Sequence, residues 1–162
     1  MRAILLTLSL SVLGNGLVAQ GNPTAEPAHA VMVLPDQVNW SPAPPSLPAG
    51  AKVAVLEGDP KEKSAFTMRI SLPDDYRIPP HFHPAVERVT VIEGNFQLGM
   101  GDKFDEAALK SMKAGAFIAM QPGTRHFARA KGNTIVQVNA IGPWKLTYVN
   151  PADDPRKEKV TP

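Results

Sequence analysis

The 162-residue chain contains no cysteine. Thiolate catalysis, thiolate metal sites and disulfide bonds are therefore excluded. The sequence also lacks a nucleophile elbow, a glycine-rich phosphate loop and a dinucleotide-binding fingerprint. Serine hydrolases, nucleotide-binding proteins and NAD-dependent enzymes are thus left without the residues that define them.

Long apolar runs are also scarce, and the one at the N-terminus is short. Residues 3–13 follow Arg2 and lead to a small residue, Ala19. A basic start, an apolar stretch and a small-residue site are typical of a secretory signal peptide, so we expect residues 1–19 to be removed and the protein to be exported to the periplasm or the extracellular space. The alternative, a retained anchor, is disfavoured because a membrane span needs about 20 apolar residues. We expect no stable membrane insertion.

Strong charge of one sign is missing as well. Removing the signal peptide takes away one of 17 basic residues, Arg2, against 15 acidic residues, which leaves a net charge of about +1. No basic stripe interrupts this balance, so the sequence gives no support for nucleic-acid binding.

What remains is a small domain rich in β-strand signals. Residues 20–46 form a linker rich in Pro and Ala, residues 47–150 the domain, and residues 151–162 a polar tail. Short β-rich runs separated by Pro/Gly turns predict an all-β jelly-roll barrel with one weak helical patch at 105–112. The predicted strands are 52–56, 66–72, 87–92, 96–100, 116–120, 126–130, 134–141 and 145–149.

Histidine is rare, and three of the four histidines fall in a pattern. His81, His83 and Glu87 share odd parity, so in extended chain they can face one point, and His126 follows in a later strand. Imidazoles with one carboxylate suit a transition metal, whereas Ca and Mg prefer oxygen ligands. We predict one divalent ion, Mn, Fe or Zn, held by these four side chains, with His29 uninvolved.

The spacing resembles the first motif of the cupins. In that family a glycine, five residues, His-x-His, three or four residues, Glu, six residues and a glycine follow one another, as in His81, His83, Glu87 and Gly94. Asp75 replaces the leading glycine. An Asp enters left-handed turn conformations more easily than most residues, so the turn is expected to persist.

The second cupin motif is matched less completely. Gly115, Gly123 and His126 stand where the family has two glycines and a histidine. Pro122 lies one place later than the motif's proline, and Ala130 replaces its final Asn, but neither change touches a ligand. The chain is also similar to the cupin-like domain of zinc-dependent anti-sigma factors, without the zinc-binding module that precedes it there.

This resemblance implies a double-stranded β-helix as a single domain, a metal and a homodimer. We predict an exported metal-binding cupin with a small-molecule pocket and no assigned activity. The alternative is a metal-dependent enzyme, a dioxygenase, isomerase or lyase, acting on a small oxygen-rich substrate. Fold alone does not choose between binding and catalysis.

A general base beside the metal would favour the enzyme, and the sequence offers three candidates, Tyr76, Arg69 and Gln137. Strand alternation in the run 134–140 leaves two orientations open. Either its valines face inward, or Gln137 and Asn139 do and could orient a ligand.

Small residues are expected beside the metal. Ala128 and Ala130 share a strand face with His126, which predicts open space there. The two tryptophans, Trp40 and Trp144, are assigned to the outer surface or a subunit interface.

Overall fold

The computed structural model describes residues 30–157, which form eleven β-strands and three 3-10 helices of one turn each. The predicted signal peptide (1–19), His29 and the end of the polar tail lie outside these residues. The strands are β1 (Ser41–Pro42), β2 (Lys52–Glu57), β3 (Ala65–Leu72), β4 (Arg77–Phe82), β5 (Glu87–Glu93), β6 (Asn95–Met100), β7 (Lys110–Lys113), β8 (Phe117–Met120), β9 (His126–Ala130), β10 (Thr134–Ile141) and β11 (Thr147–Tyr148).

The strands make two antiparallel sheets. One has six strands in the order β1-β2-β3-β10-β5-β8, and the other has five in the order β11-β4-β9-β6-β7. Strands distant in sequence, such as β3 and β10, are neighbours in space, and the inner faces of both sheets contribute to one apolar core. This arrangement confirms the prediction of an all-β jelly-roll barrel.

Alternation along the central strands decides which side chains enter the core. Val136 and Val138 of β10 are buried, whereas Gln137 and Asn139 are half-buried on the other face. Gln137 accepts a hydrogen bond from Arg69 Nε at 3.3 Å, and Asn139 donates to Thr67 Oγ1 at 2.8 Å. The valines therefore face inward, and the polar pair binds to the neighbouring strand.

Strand β4 is missing from the sequence prediction because it contains two prolines. Pro79 and Pro80 have no N–H to donate, which argues against a strand inside a sheet. The ladder between β4 and β9 pairs Ile78 with Ala128, becomes irregular at the prolines, and resumes at His81 with His126. Pairing on both sides of the interruption fixes the strand in spite of its sequence.

The predicted helical patch at 105–112 is wrong. Glu106–Ala108 form a single 3-10 turn, in which the Asp105 side chain accepts a hydrogen bond from the N–H of Ala107. The residues that follow, Lys110–Lys113, are strand β7 and pair with β6. Strand β6 supplies hydrogen bonds to these residues, whereas a short helix would have to form its hydrogen bonds without help from the rest of the protein. Pairing with β6 therefore overrides a weak local preference for helix.

The Pro-rich segment before β2 lies against the barrel. Leu47 is buried in the core, and two core tyrosines form hydrogen bonds with the backbone of the segment. Tyr76 donates its hydroxyl hydrogen to the carbonyl of Pro48, and Tyr148 donates to the carbonyl of Ser46. Among the described residues no helix is long and apolar enough to cross a membrane.

Candidate metal centre

Four side chains from two sheets meet at one end of the barrel. His81 lies near the end of β4 and pairs across the ladder with His126, the first residue of β9. His83 follows β4 directly. Glu87 opens β5 in the other sheet, opposite Met120. The fold therefore brings together all four residues that the sequence singles out.

Distances show how closely they converge. The three histidines each present a ring nitrogen, and these nitrogens lie within 4.8 Å of one another. Glu87 Oε2 lies 3.4 Å from His83 Nε2 and 3.7 Å from His126 Nε2. One small ion between the three nitrogens would contact all of them, and the Glu87 carboxylate lies beside the nitrogens of His83 and His126.

The backbone fixes the tautomer of each ring. His81 Nδ1 lies 2.7 Å from the carbonyl of Pro79, His83 Nδ1 2.9 Å from that of Lys145, and His126 Nδ1 2.9 Å from that of Thr124. A carbonyl oxygen only accepts, so each Nδ1 carries the hydrogen. In the neutral ring Nε2 then holds an unshared electron pair, which is what a metal ligand needs.

Burial keeps the rings neutral. All four side chains are almost completely buried, and loss of water lowers the pKa of His81 well below its usual value, with the nearby His126 and His83 adding to the effect. Burial likewise lowers the pKa of His83 to about 4 and lowers that of His126. It raises the pKa of Glu87, against the smaller opposing effects of His126 and Trp144.

One atom tests directly whether a metal fits. His83 Nε2 is buried and has no hydrogen-bond partner. A bare, buried nitrogen costs free energy unless something binds it. Neutral imidazoles beside a carboxylate are the donor set of transition metals, and the residues present therefore fit such an ion.

The space beside the four side chains is narrow. The cavity has a volume of about 30 Å³ and is lined mainly by aliphatic side chains, among them Val89, Leu98 and Ala128. About 15 Å³ is enough for one water molecule, so this space could admit an ion and one or two waters, and a small organic molecule would need the surrounding side chains to move. Ala128 lines this cavity but Ala130 does not, so the open space predicted beside both alanines is limited to Ala128, and larger aliphatic side chains line most of the rest.

Trp144 is the site residue that sequence reasoning missed. It does not pack on the outer surface alone, because its indole stacks on His83, with ring centroids 5.5 Å apart and planes inclined by 18°. Its Nε1–H donates to Glu87 Oε1 at 3.3 Å. The hydrogen bond joins Trp144 to a residue 57 positions away, so no local pattern in the sequence predicts it.

The three candidate bases lie elsewhere. Tyr76 donates to the Pro48 carbonyl, and burial raises its pKa, an effect that Tyr148 increases. Arg69 and Gln137 bind each other on the face of the sheet that points away from the core. Among the described residues that line the cavity, the titratable side chains are the three histidines and Glu87.

Solved structures that are similar to this one include proteins described as cupins and proteins described as enzymes. The polyketide cyclase RemF from Streptomyces resistomycificus is 18% identical and has a TM-score of 0.65, over 83% of this chain and 95% of the other. A putative acetylacetone dioxygenase from Methylibium petroleiphilum PM1 is 20% identical, with a TM-score of 0.60 over 80% and 88%. A cupin 2 conserved barrel protein from Rhodopseudomonas palustris is 16% identical, with a TM-score of 0.56 over 75% and 86%.

These likenesses confirm the cupin fold that the two sequence motifs predict. No curated protein sequence matches the chain at a significant level. The family described as a domain of unknown function, DUF4437, matches residues 21–156. The chain is thus a cupin-fold protein that belongs to the DUF4437 family.

Proposed function

We propose that this protein is an exported cupin that holds one divalent transition metal, Mn, Fe or Zn, through His81, His83, Glu87 and His126, next to a small-molecule site. The observation that carries the proposal is the convergence of three histidine ring nitrogens, one of them buried without a partner, with a carboxylate oxygen beside two of them. When bound, the ion would supply a Lewis acid or, for Mn or Fe, a redox centre.

The chain itself prepares this site. Three backbone carbonyls orient the imidazoles, and Glu87 adds the negative charge that favours a dication. The apolar walls keep water scarce around the four side chains, which strengthens the interaction of a cation with the carboxylate.

Elemental analysis of protein purified without chelator tests the proposal. We expect about one transition metal per chain in the wild type and a strong loss in His83→Ala. His29→Ala is the control, because it removes the one histidine outside the pattern, and it should keep the metal. Unchanged metal in His83→Ala together with loss in His29→Ala would refute the site.

Catalysis is the alternative. The neighbours in structure include a protein described as a polyketide cyclase and one described as a putative dioxygenase, so a dioxygenase, isomerase or lyase acting on a small oxygen-rich molecule is the enzyme to look for. Metal-loaded protein should be assayed under O₂ against a panel of such molecules. Turnover that disappears in His83→Ala would support the enzyme, and saturable binding without turnover would support the binding protein.

Export belongs to the same proposal and rests on residues 1–19 of the sequence. A basic residue, an apolar run and a small residue are the features that signal peptidase recognises. Expression of the full-length chain in a bacterial host, followed by N-terminal sequencing, should show a start at Gln20 in the envelope fraction. Intact residues 1–19 on cytosolic protein would contradict export and leave the metal site unaffected.

A further inference from the structure

Trp144 contacts two of the four candidate ligands, and it reaches them from a segment that belongs to neither. We propose that Trp144 is a positioning residue of the metal site, whose indole N–H holds one oxygen of Glu87 so that the other faces the histidine nitrogens. This inference rests on the proposed metal binding and assigns a role that the ligand pattern does not contain.

The two oxygens of Glu87 have different partners. Oε1 accepts the indole N–H of Trp144 at 3.3 Å. Oε2 lies 3.4 Å from His83 Nε2 and 3.7 Å from His126 Nε2. A glutamate has three rotatable bonds, and fixing one oxygen limits where the other can lie. The hydrogen bond thus selects the rotamer that brings Oε2 to the centre.

The same segment fixes His83. The indole stacks on the imidazole, and the next residue, Lys145, accepts the Nδ1–H of His83 at 2.9 Å. Glu87 belongs to the six-stranded sheet, whereas His83 follows a strand of the five-stranded sheet. Residues 144–145 therefore set the relative positions of two ligands that come from different sheets.

The segment is anchored independently of the metal site. The Trp144 backbone N–H donates to the carbonyl of Pro60 at 2.6 Å, and the Gly142 N–H donates to that of Ser64 at 2.9 Å. Both acceptors lie in the loop between β2 and β3. Because the backbone of Trp144 is held from outside, its side chain can act as a fixed support for Glu87.

An indole suits this task chemically. Its N–H donates but never accepts, and it does not titrate, so its ability to donate a hydrogen bond to Glu87 does not change with pH. Outer groups of this kind orient ligands in metal sites, and their removal commonly weakens metal binding about 10- to 100-fold. A tryptophan that only packed would be replaceable by another aromatic ring without loss of metal.

Co(II) titration of four proteins separates these two roles: wild type, Trp144→Phe, Glu87→Ala and the double variant. Phe keeps an aromatic ring against His83 and removes only the donor. We expect Trp144→Phe to weaken Co(II) binding about 10- to 100-fold and to change the visible Co(II) spectrum. In the Glu87→Ala background the same change should alter affinity less than about two-fold, since the partner is gone.

Tryptophan fluorescence provides a second readout, because the chain has only two tryptophans. Co(II) should quench most of the emission of Trp40→Phe, in which Trp144 remains, and little of the emission of Trp144→Phe. Trp40→Phe is also the affinity control and should bind Co(II) like the wild type. Circular dichroism without metal should show that all variants are folded.

The outcomes distinguish the two proposals. Wild-type affinity and an unchanged spectrum in Trp144→Phe would overturn the positioning role and leave the metal site standing. An equal loss of affinity in both backgrounds would also overturn it, since Trp144 would then act without Glu87. Failure of the folded wild type to bind Co(II) would overturn the metal site and the positioning role with it.

Discussion

In each candidate histidine, Nδ1 donates a hydrogen bond to a backbone carbonyl, and Nε2 is left free to bind a metal ion. The Nδ1 atoms are bound to the carbonyls of Pro79, Lys145 and Thr124, so the rings are oriented before any ion arrives. A site prepared in this way loses little conformational freedom on binding, which favours tight association.

The four ligands should not be equivalent when they are replaced. Any single histidine changed to Ala should weaken metal binding more than about 100-fold, beyond the range typical of outer partners. Glu87→Gln should weaken it about 10-fold, because the amide keeps an oxygen but loses the charge that attracts a dication. Competition with a chromophoric chelator measures both. A larger loss in Glu87→Gln than in His126→Ala would contradict this order.

For individual residues, the sequence predicts which side chains come together better than it predicts the residues that position them. The His-x-His-x3-Glu spacing is local, and the structure brings the two histidines together with His126, with Glu87 beside His83 and His126. The left-handed conformation expected of Asp75 is confirmed by its φ of 59°. The role of Trp144 could not be predicted, because it depends on a loop that returns to the site from the far end of β10.

Among the strands, the packing of β6 against β9 depends on a glycine, which has no side chain. Gly99 of β6 lies opposite Phe127 of β9, a fully buried residue. A Cβ added at Gly99 would lie 2.2 Å from the ring of Phe127, which also contacts Phe104. The ring therefore occupies the space that any other residue at position 99 would need.

Gly99→Ala should consequently destabilise the protein by about 1–3 kcal/mol, the usual cost of overpacking a core. Urea unfolding measures this change. Gln97→Ala, two residues earlier on the same strand and half-buried, is the matched control and should cost less. Equal stability of Gly99→Ala and the wild type would show that Phe127 can move aside.

Most of the strands could be predicted because their alternation is regular. The strands 126–130 and 134–141 agree with the structure at both ends, and several others agree to within one residue. Where prediction failed, pairing with a distant strand decided the structure. The two prolines of β4 argue against a strand, but β4 pairs with β9 and β11 on its two sides. Strand β7 forms because its residues pair with the edge of β6.

For the whole molecule, the buried histidines make stability depend on pH. Their pKa values are lowered in the folded state, to about 4 for His83, whereas those of the unfolded chain stay near 6.5. Between these values the unfolded chain binds more protons, so stability falls as the pH falls below about 6.5. The raised pKa of Glu87 has the opposite effect on stability, because protonation in acid removes the cost of burying its charge.

Metal-free protein should therefore lose stability between pH 6.5 and 4, by an amount on the order of 3 kcal/mol for His83 alone. Added metal should raise stability at pH 7 and have almost no effect at pH 4.5, because protons compete for the imidazoles. Urea unfolding with and without chelator at both pH values checks this. An equal effect of metal at the two pH values would contradict the histidine ligands.

Assembly is a second property of the whole molecule. The two sheets end in edge strands, β1 and β8 in one and β7 and β11 in the other. Edge strands are often covered by another copy of the chain, and Phe117 on β8 is 59% exposed. We propose a homodimer, which sedimentation at micromolar concentration should show. A monomer across that range would refute the dimer without touching the metal site.

Anomalous X-ray diffraction at the absorption edge of the metal found by elemental analysis tests most directly whether these four side chains bind a metal. A single anomalous peak is expected about 2.0–2.3 Å from the Nε2 atoms of His81, His83 and His126, with Glu87 Oε2 at similar range. The same crystals of His83→Ala should lose it. A peak at another position would contradict the proposed metal site. The absence of a peak between these side chains in crystals soaked with the metal would also contradict it.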